Sequence, residues 1–393
     1  MRGRAEIVGG GLAGLAAAVS LARRGWTVRV HERAAELREI GAGLYLKENG
    51  LRALDDMGVS AAALARAVPL DQMDVVDMTS GRTLTRDVQG VRVYAVLRTD
   101  LHRAMASAAA EAGAEVATES VGVEATPEGR LTLRDASQGR DASQEIRADL
   151  VVGADGVSSS IRRSLGLGVS VKTLPEGATR LLVARRPGER GNRSAEYWGG
   201  RHRLLVTPCS PDDLYVALMG PQDDRRARAV PVDTARWAEL FPRHQDLLSR
   251  IDPGRATHHT NAHVRVRGWS SGRACILGDA AHGQPPNLGQ GAGLALSNAV
   301  ELAACLDSAA TVEEGLARWE ARWMPVATMV QQWSYWYGVL AYRWPAPLRR
   351  ARLSALRALT TFGPTRRRYT WLWQGGLDDT RQVPIQIRLP RSG

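Results

Sequence analysis

Short apolar runs alternate along this chain with amphipathic or alanine-rich stretches, and the period of each decides what it predicts. Glu6-Ile7-Val8 predicts a short buried strand, the glycine cluster at 9–14 a turn, the alanine-rich run after it a helix ending near Arg24-Gly25, and Thr27 to His31 a second strand. Helical spacing recurs around 49–67 and from Leu101 to Ala112. Between them, 70–97 is polar and rich in β-formers, with Thr79-Ser80-Gly81-Arg82 as a hairpin turn. Residues 170–268 alternate apolar and polar positions, in runs such as Arg180 to Arg185, Arg203 to Thr207 and Leu214 to Met219, and predict a second, sheet-based module. Ala274 to Leu277 returns to a buried strand, so the first module is discontinuous. Its expected parts are 1–69, 93–169 and 269–345; the inserted module takes 70–92 and 170–268, and 346–393 forms a basic, aromatic-rich C-terminal segment. A tandem copy, Arg134 to Gln138 and Arg140 to Gln144, reads as a lengthened hairpin loop rather than the start of a solenoid.

The 393 residues suffice for two domains with a large core. Cys209, Cys275 and Cys305 are far apart and lack metal-ligand spacing, which predicts free thiols in a reducing compartment, the cytoplasm by default. Apolar stretches fall short of the roughly 20 residues of a membrane span, and no secretory leader pattern opens the chain. The net charge of +11 is concentrated late, with thirteen arginines and three acidic residues between 318 and 393. Seven of the eleven Trp also fall from Trp319 onward, so core packing and capping of a site are expected there ahead of contact with a membrane surface. No nucleic-acid motif accompanies the arginines, and a monomer or homodimer is expected.

Three segments carry chemistry. Gly9-x-Gly11-x-x-Gly14 lies between a strand and a helix, where glycines let a pyrophosphate approach backbone N–H groups at the helix's positive end. Glu32, 18 residues beyond Gly14 at the end of the second strand, is placed to accept hydrogen bonds from an adenosine ribose. This is a dinucleotide fingerprint, and by itself it leaves FAD and NAD open. Asp149 to Arg162 reads as a buried strand ending in Asp155-Gly156, either a ligand turn or a capped turn before a short helix. Gly278-Asp279 follows another strand; Asp279 can hold a ribityl or ribose hydroxyl, Pro285 and Pro286 stiffen the approach, and Gly289-Gln290-Gly291-Ala292 opens an apolar helix. The positive end of that helix suits a reduced flavin, whose N1–C2=O2 region carries negative charge.

In order and spacing these motifs resemble those of the single-component, class A flavoprotein monooxygenases of the para-hydroxybenzoate hydroxylase type, over about residues 1–345. The resemblance implies an α/β fold: a Rossmann-like FAD-binding domain of three layers (ββα), an inserted β-sheet substrate domain and a helical C-terminal region. It implies an enzyme that uses FAD, NADH or NADPH, and O2 to hydroxylate or epoxidise an aromatic or electron-rich small molecule (phenolic, indolic or N-heteroaromatic) through a flavin C4a-hydroperoxide. It also implies that Glu32, Arg33, Arg98, Asp155, Gly156 and Asp279 contact FAD, with Arg38 as a further pyrophosphate candidate. Because the oxidant is delivered as an electrophile, the protein need supply only orientation, water exclusion and sometimes deprotonation.

Catalytic candidates are therefore few: His282, Pro286 and Tyr45, with His282 read as structural ahead of acid–base. The chain departs from many relatives at Gly43 to Gly50, where Tyr45 and Lys47 fall on one strand face and could line a cavity, although a single lysine is more often a solvated surface charge. That segment leans toward relatives acting on pyridine carboxylates and other N-heteroaromatics. Tyr197 and Tyr215 are further substrate candidates on the inserted sheet. His259 and His263 have a ligand-like gap, but on a strand they stand about 13 Å apart at about 3.3 Å per residue, so no metal is assigned. The competing readings are a flavin reductase or oxidase without oxygen insertion, a non-enzymatic flavin binder, and a flavin halogenase. The last is discounted because Trp371-Leu372-Trp373 sits in the tail and continues Gln374-Gly375.

Overall fold

A computed structural model describes residues 2–37, 42–87, 91–135, 143–189 and 191–348, with Ala351, Arg352, Ser354 and Trp371 beyond them. Arg38, much of the tandem repeat and most of the C-terminal segment lie outside the described residues.

The first strand, Arg4–Val8, runs parallel between Thr27–His31 and Leu150–Gly153 at the centre of a six-stranded sheet. Ala274–Ile276 and Glu115–Ala117 extend it in parallel on either side, and Ser270–Ser271 closes one edge. Leu150–Gly153 is buried throughout, as a central parallel strand covered on both faces must be. Helices Leu12–Ala22, Arg98–Glu111 and Gly291–Asp307 share one core with it. The antiparallel strands Ser120–Ala125, Arg130–Asp135 and Ser143–Arg147 contribute Leu131 and Leu133 to that core. Sheet, sheet and helices make the three layers that the family resemblance implies.

A seven-stranded sheet runs in the order 257–266, 168–184, 213–221, 202–208, 193–199, 72–77 and 83–87. The early hairpin thus joins the later strands, with Gln72–Asp77 parallel to Arg193–Gly199 and Asp77 capping the turn through the Ser80 N–H. Period-two alternation divides the two faces. Leu204, Val216 and Leu218 pack under the helical segment bearing Trp237 and Phe241, while Leu205, Ala217 and Met219 face the other way. Burying each such large side chain contributes roughly 1.5–3 kcal/mol.

The helix Val312–Tyr342 packs into both the core of the six-stranded sheet and the core that holds Leu205, Ala217 and Met219. Thr311 caps it by accepting from the Glu314 N–H, and Glu314 accepts from the Ala310 N–H. Trp319 and Trp323 are buried, whereas Trp336 is exposed. In the C-terminal segment Trp371 packs on the first core, and Arg352 is buried against the Trp198 ring while donating to the Gly200 carbonyl. No described helix is long and apolar enough to cross a membrane.

Candidate active site

The three motif turns and the open face of the seven-stranded sheet surround a single cavity of about 1060 Å³. A pocket for one drug-sized ligand is roughly 300–1,000 Å³, so this one has room for a dinucleotide and a small ring beside it.

Gly9 has φ +107°, and a Cβ there would stand 2.5 Å from the Ala154 carbonyl oxygen. Gly14 is pressed on the Gly9 carbonyl beneath the cavity, the close helix–strand contact that the third fingerprint glycine serves. Around Gly11, in contrast, a Cβ would meet nothing within 4 Å. Glu32 holds the turn by accepting from the N–H groups of Gly10 (2.8 Å) and Ala34 (2.9 Å), and its carboxylate lines the cavity with Arg33 and Arg98.

Asp155 caps the short helix Ser160–Ser164 through Oδ2, which accepts from the N–H of Ser160 at 2.7 Å and of Ile161 at 3.2 Å. Its Oδ1 is buried with no partner among the described residues. The segment is therefore both a capped turn and an acceptor on the cavity wall. Arg162 locks it to the third motif by donating to the carbonyls of Ala280 (2.8 Å) and Val157 (2.6 Å).

Asp279 opens a short helix after Gly278 (φ +64°), with its carboxylate exposed to the cavity. Pro286, Gly289, Gly291 and Ala292 line the same wall, and a Cβ at Gly291 would meet nothing within 4 Å. The long helix braces this turn. Gln331 donates to the carbonyls of Val264 (2.5 Å) and Gly283 (2.9 Å), and Ser334 donates to that of Pro285 (2.5 Å). Open space at two glycines, an unpartnered buried carboxylate oxygen and a braced helix N-terminus fit a flavin dinucleotide.

Two candidates, Gln290 and Tyr197, lie off the cavity, whereas Lys47 lines it and His282 is buried as the structural reading expects. Gln290 turns inward to accept from Asn49 Nδ2 at 2.9 Å and does not line the cavity, because as N-cap it sits beneath the helix end. Tyr197 packs on His244 on the sheet's far side, since Ser194 and Glu196 take the alternate, cavity-facing positions. Lys47 is not a solvated charge: it caps the helix Glu48–Asp56, is buried, and donates to the Leu288 carbonyl at 2.7 Å while lining the cavity. His282 is buried beside Trp269 and Asn298, away from the cavity, and burial pushes its pKa down to about 4 against the opposing charge of Asp279. It is a neutral, structural imidazole at neutral pH.

Tyr45 and Tyr215 do line the cavity. The Tyr45 hydroxyl closes a triangle with Ser194 (2.7 Å) and Thr207 (2.5 Å), which are 2.7 Å from each other. Burial raises its pKa despite those bonds, so it is a donor and not a base. A Cβ at Gly43 would strike the Tyr215 side chain, 2.7 Å from its Cβ and 2.8 Å from ring Cγ, which is why glycine stands there.

The sequence reading missed Glu196 and Arg203. Arg203 is buried on the cavity wall, donates to Glu196 Oε1 (2.9 Å), Asn287 Oδ1 (2.6 Å) and the Tyr342 hydroxyl, and lies over the Tyr342 ring. Burial opposes its charge, but Glu196 and the tyrosines outweigh it and raise its pKa. The available signal was one arginine in the otherwise apolar run Leu204-Leu205-Val206, facing the same way as Leu205. Among the described residues no cluster of three or more His, Cys, Asp or Glu is disposed to hold a metal.

Residues 4–334 match the family model described as "FAD binding domain". The chain is 41% identical over 342 residues to a 2-heptyl-3-hydroxy-4(1H)-quinolone synthase of Mycobacteroides abscessus, covering 85% of this chain and 89% of that protein. It is 31% identical over 325 residues to a 3-hydroxybenzoate 6-hydroxylase of Klebsiella oxytoca, covering 77% and 79%. Its structure resembles the tetrameric form of 2-methyl-3-hydroxypyridine-5-carboxylic acid oxygenase with a TM-score of 0.80, at 32% identity and over 92% and 94% of the two chains. The chain belongs to the class A FAD-dependent aromatic monooxygenases. It is accordingly a flavoprotein enzyme that hydroxylates an aromatic substrate with FAD, NAD(P)H and O2.

Proposed function

We propose that this chain hydroxylates a neutral, bicyclic N-heteroaromatic of the 4-quinolone class at the carbon next to the ring carbonyl. The observation that carries the reading is the strip Met73, Val75, Leu205, Ala217 and Met219, an apolar cavity wall on which the buried Arg203 is already paired with a carboxylate, while the buried Lys47 donates to the Leu288 carbonyl. A flat, uncharged ring suits such a wall better than an anion. Similarity to the quinolone synthase supports the same class. Arg180 on the same face favours a second reading, a carboxylated N-heteroaromatic.

Bound FAD supplies acceptance of a hydride from NAD(P)H and the activation of O2. The protein's share is binding, orientation and exclusion of water. Glu32 holds the adenosine end, Asp155 and Asp279 take hydroxyl or amide donors along the dinucleotide, and Gly289 to Ala292 present the positive helix end where charge develops on the ring. Tyr45 and Tyr215 position the substrate ring at the edge of the apolar strip. The inserted sheet, 70–92 with 170–268, serves as the substrate module, the enzyme acts in the cytoplasm as a monomer or homodimer, and neither nucleic acid nor a membrane is its partner.

The test supplies 2-alkyl-4-quinolones and pyridine carboxylates to the holoenzyme with NADH or NADPH and labelled dioxygen. Stimulated cofactor oxidation and a quinolone product carrying one labelled oxygen are expected. Oxidation that yields only hydrogen peroxide with every quinolone, or incorporation into pyridine carboxylates alone, would falsify the assignment.

A further inference from the structure

Glu196 faces the cavity from the strand Arg193–Gly199, one rung from the hydroxyl triangle. Its Oε1 accepts two bonds, from Trp198 Nε1 at 2.6 Å and Arg203 Nη1 at 2.9 Å. Among the described residues none donates to its Oε2. Arg203 in turn donates to Asn287, which neighbours Pro286 on the wall where the flavin ring belongs, and Asn287 donates to the Ser334 carbonyl at 2.8 Å. The carboxylate is thereby fixed through one oxygen to the scaffold of the ring seat while the other remains an acceptor, beside Val75 and Leu205.

We propose that Glu196 accepts a hydrogen bond from the acidic N–H or O–H of the aromatic substrate, and that its pairing with Arg203 selects uncharged rings over carboxylates. The inference rests on reading this cavity as the hydroxylation site and adds to that reading the group that orients the ring. A hydrogen bond from the ring's N–H or O–H to a carboxylate pushes electron density toward the conjugated carbon that meets an electrophilic oxygen, with no bond broken beforehand. An incoming carboxylate, in contrast, would meet Glu196 as a like charge in a site of low dielectric, and would find Arg203 occupied. Arg203 is a positioning residue in this arrangement, because it acts through Glu196 and Asn287.

The test measures ligand binding to the oxidised holoenzyme by perturbation of flavin absorbance. The ligands are 4-quinolone, its N-methyl derivative and quinoline-4-carboxylate, with phenol and anisole in parallel. In the unaltered enzyme the member of each pair that keeps its N–H or O–H should bind about ten-fold tighter or more, as a bond to a charged acceptor warrants. Glu196→Gln should shrink that preference to about two-fold and tighten the carboxylate about ten-fold by releasing Arg203. No preference in the unaltered enzyme overturns the proposal, and so does a full preference retained in Glu196→Gln with normal flavin content. Should the variant fail to fold, the pairs in the unaltered enzyme decide alone. Discrimination between phenol and anisole without any quinolone binding would overturn the quinolone reading and uphold Glu196; binding by none of the five overturns both.

Discussion

The two oxygens of Asp155 have different work: Oδ2 is consumed in capping, and Oδ1 is buried without a partner among the described residues. Such an orphan costs about 1–3 kcal/mol, a cost that a ligand donor would offset. Asp279 is simpler, since its carboxylate faces the cavity and caps nothing through its side chain. Asp279→Ala should therefore weaken FAD binding by about ten-fold or more while leaving the apoprotein's melting temperature near that of the unaltered chain; normal flavin content after dialysis would refute its role. His282 allows a test by pH. Its pKa in the fold is near 4, below an ordinary value of about 6.5, so the unfolded chain takes up a proton that the native chain refuses. Stability from this group is complete above about pH 6.5 and declines as pH falls toward 4. Thermal melts across that window should show a smaller acid loss for His282→Gln than for the unaltered chain, and equal losses would contradict the assignment.

At the scale of elements, the flavin-side turn owes its shape to the helix Val312–Tyr342. Gln331 and Ser334 between them satisfy three carbonyls, of Val264, Gly283 and Pro285. Ser334→Ala should cost about 1–3 kcal/mol because it strands a buried acceptor, and it should speed FAD dissociation even though Ser334 does not line the cavity. A stopped-flow measurement of flavin release at the unaltered rate would count against bracing. This contribution was illegible in the sequence. Periodicity located the strands at 4–8, 27–31, 202–208 and 213–221, and the hairpin turn at 79–82, because each buries one face or both and local chemistry suffices to mark it. Which carbonyl a glutamine 47 residues beyond the turn at 284 would reach depends on tertiary docking, which no local pattern encodes. The same limit explains Tyr197: alternation gives two faces but not which of them meets the cavity. Lys47 lines the cavity as its strand face allows, but the Leu288 carbonyl that holds it is 241 positions away, a contact no local pattern encodes.

For the whole molecule, the site lies between the six-stranded and seven-stranded sheets, with the dinucleotide fingerprint, the Asp155 turn and the Asp279 turn at the ends of strands of the first and the apolar strip on the second. The dinucleotide motifs were legible because phosphate and ribose impose fixed spacing on glycines and carboxylates. The strip, with Glu196 and Arg203, was not, because its residues come from strands whose order in the sheet, 72–77 beside 193–199, departs from chain order. Flavin-dependent insertion of oxygen into a ring held in this cavity is the central property of the molecule. The most direct test is the flavin content of the purified protein together with the isotopic mass of the product formed under labelled dioxygen with NAD(P)H and a 2-alkyl-4-quinolone. One FAD per chain and one labelled oxygen per product are predicted; a colourless protein that takes up no added FAD, or a flavoprotein that consumes NAD(P)H and leaves every ring unlabelled, would contradict it.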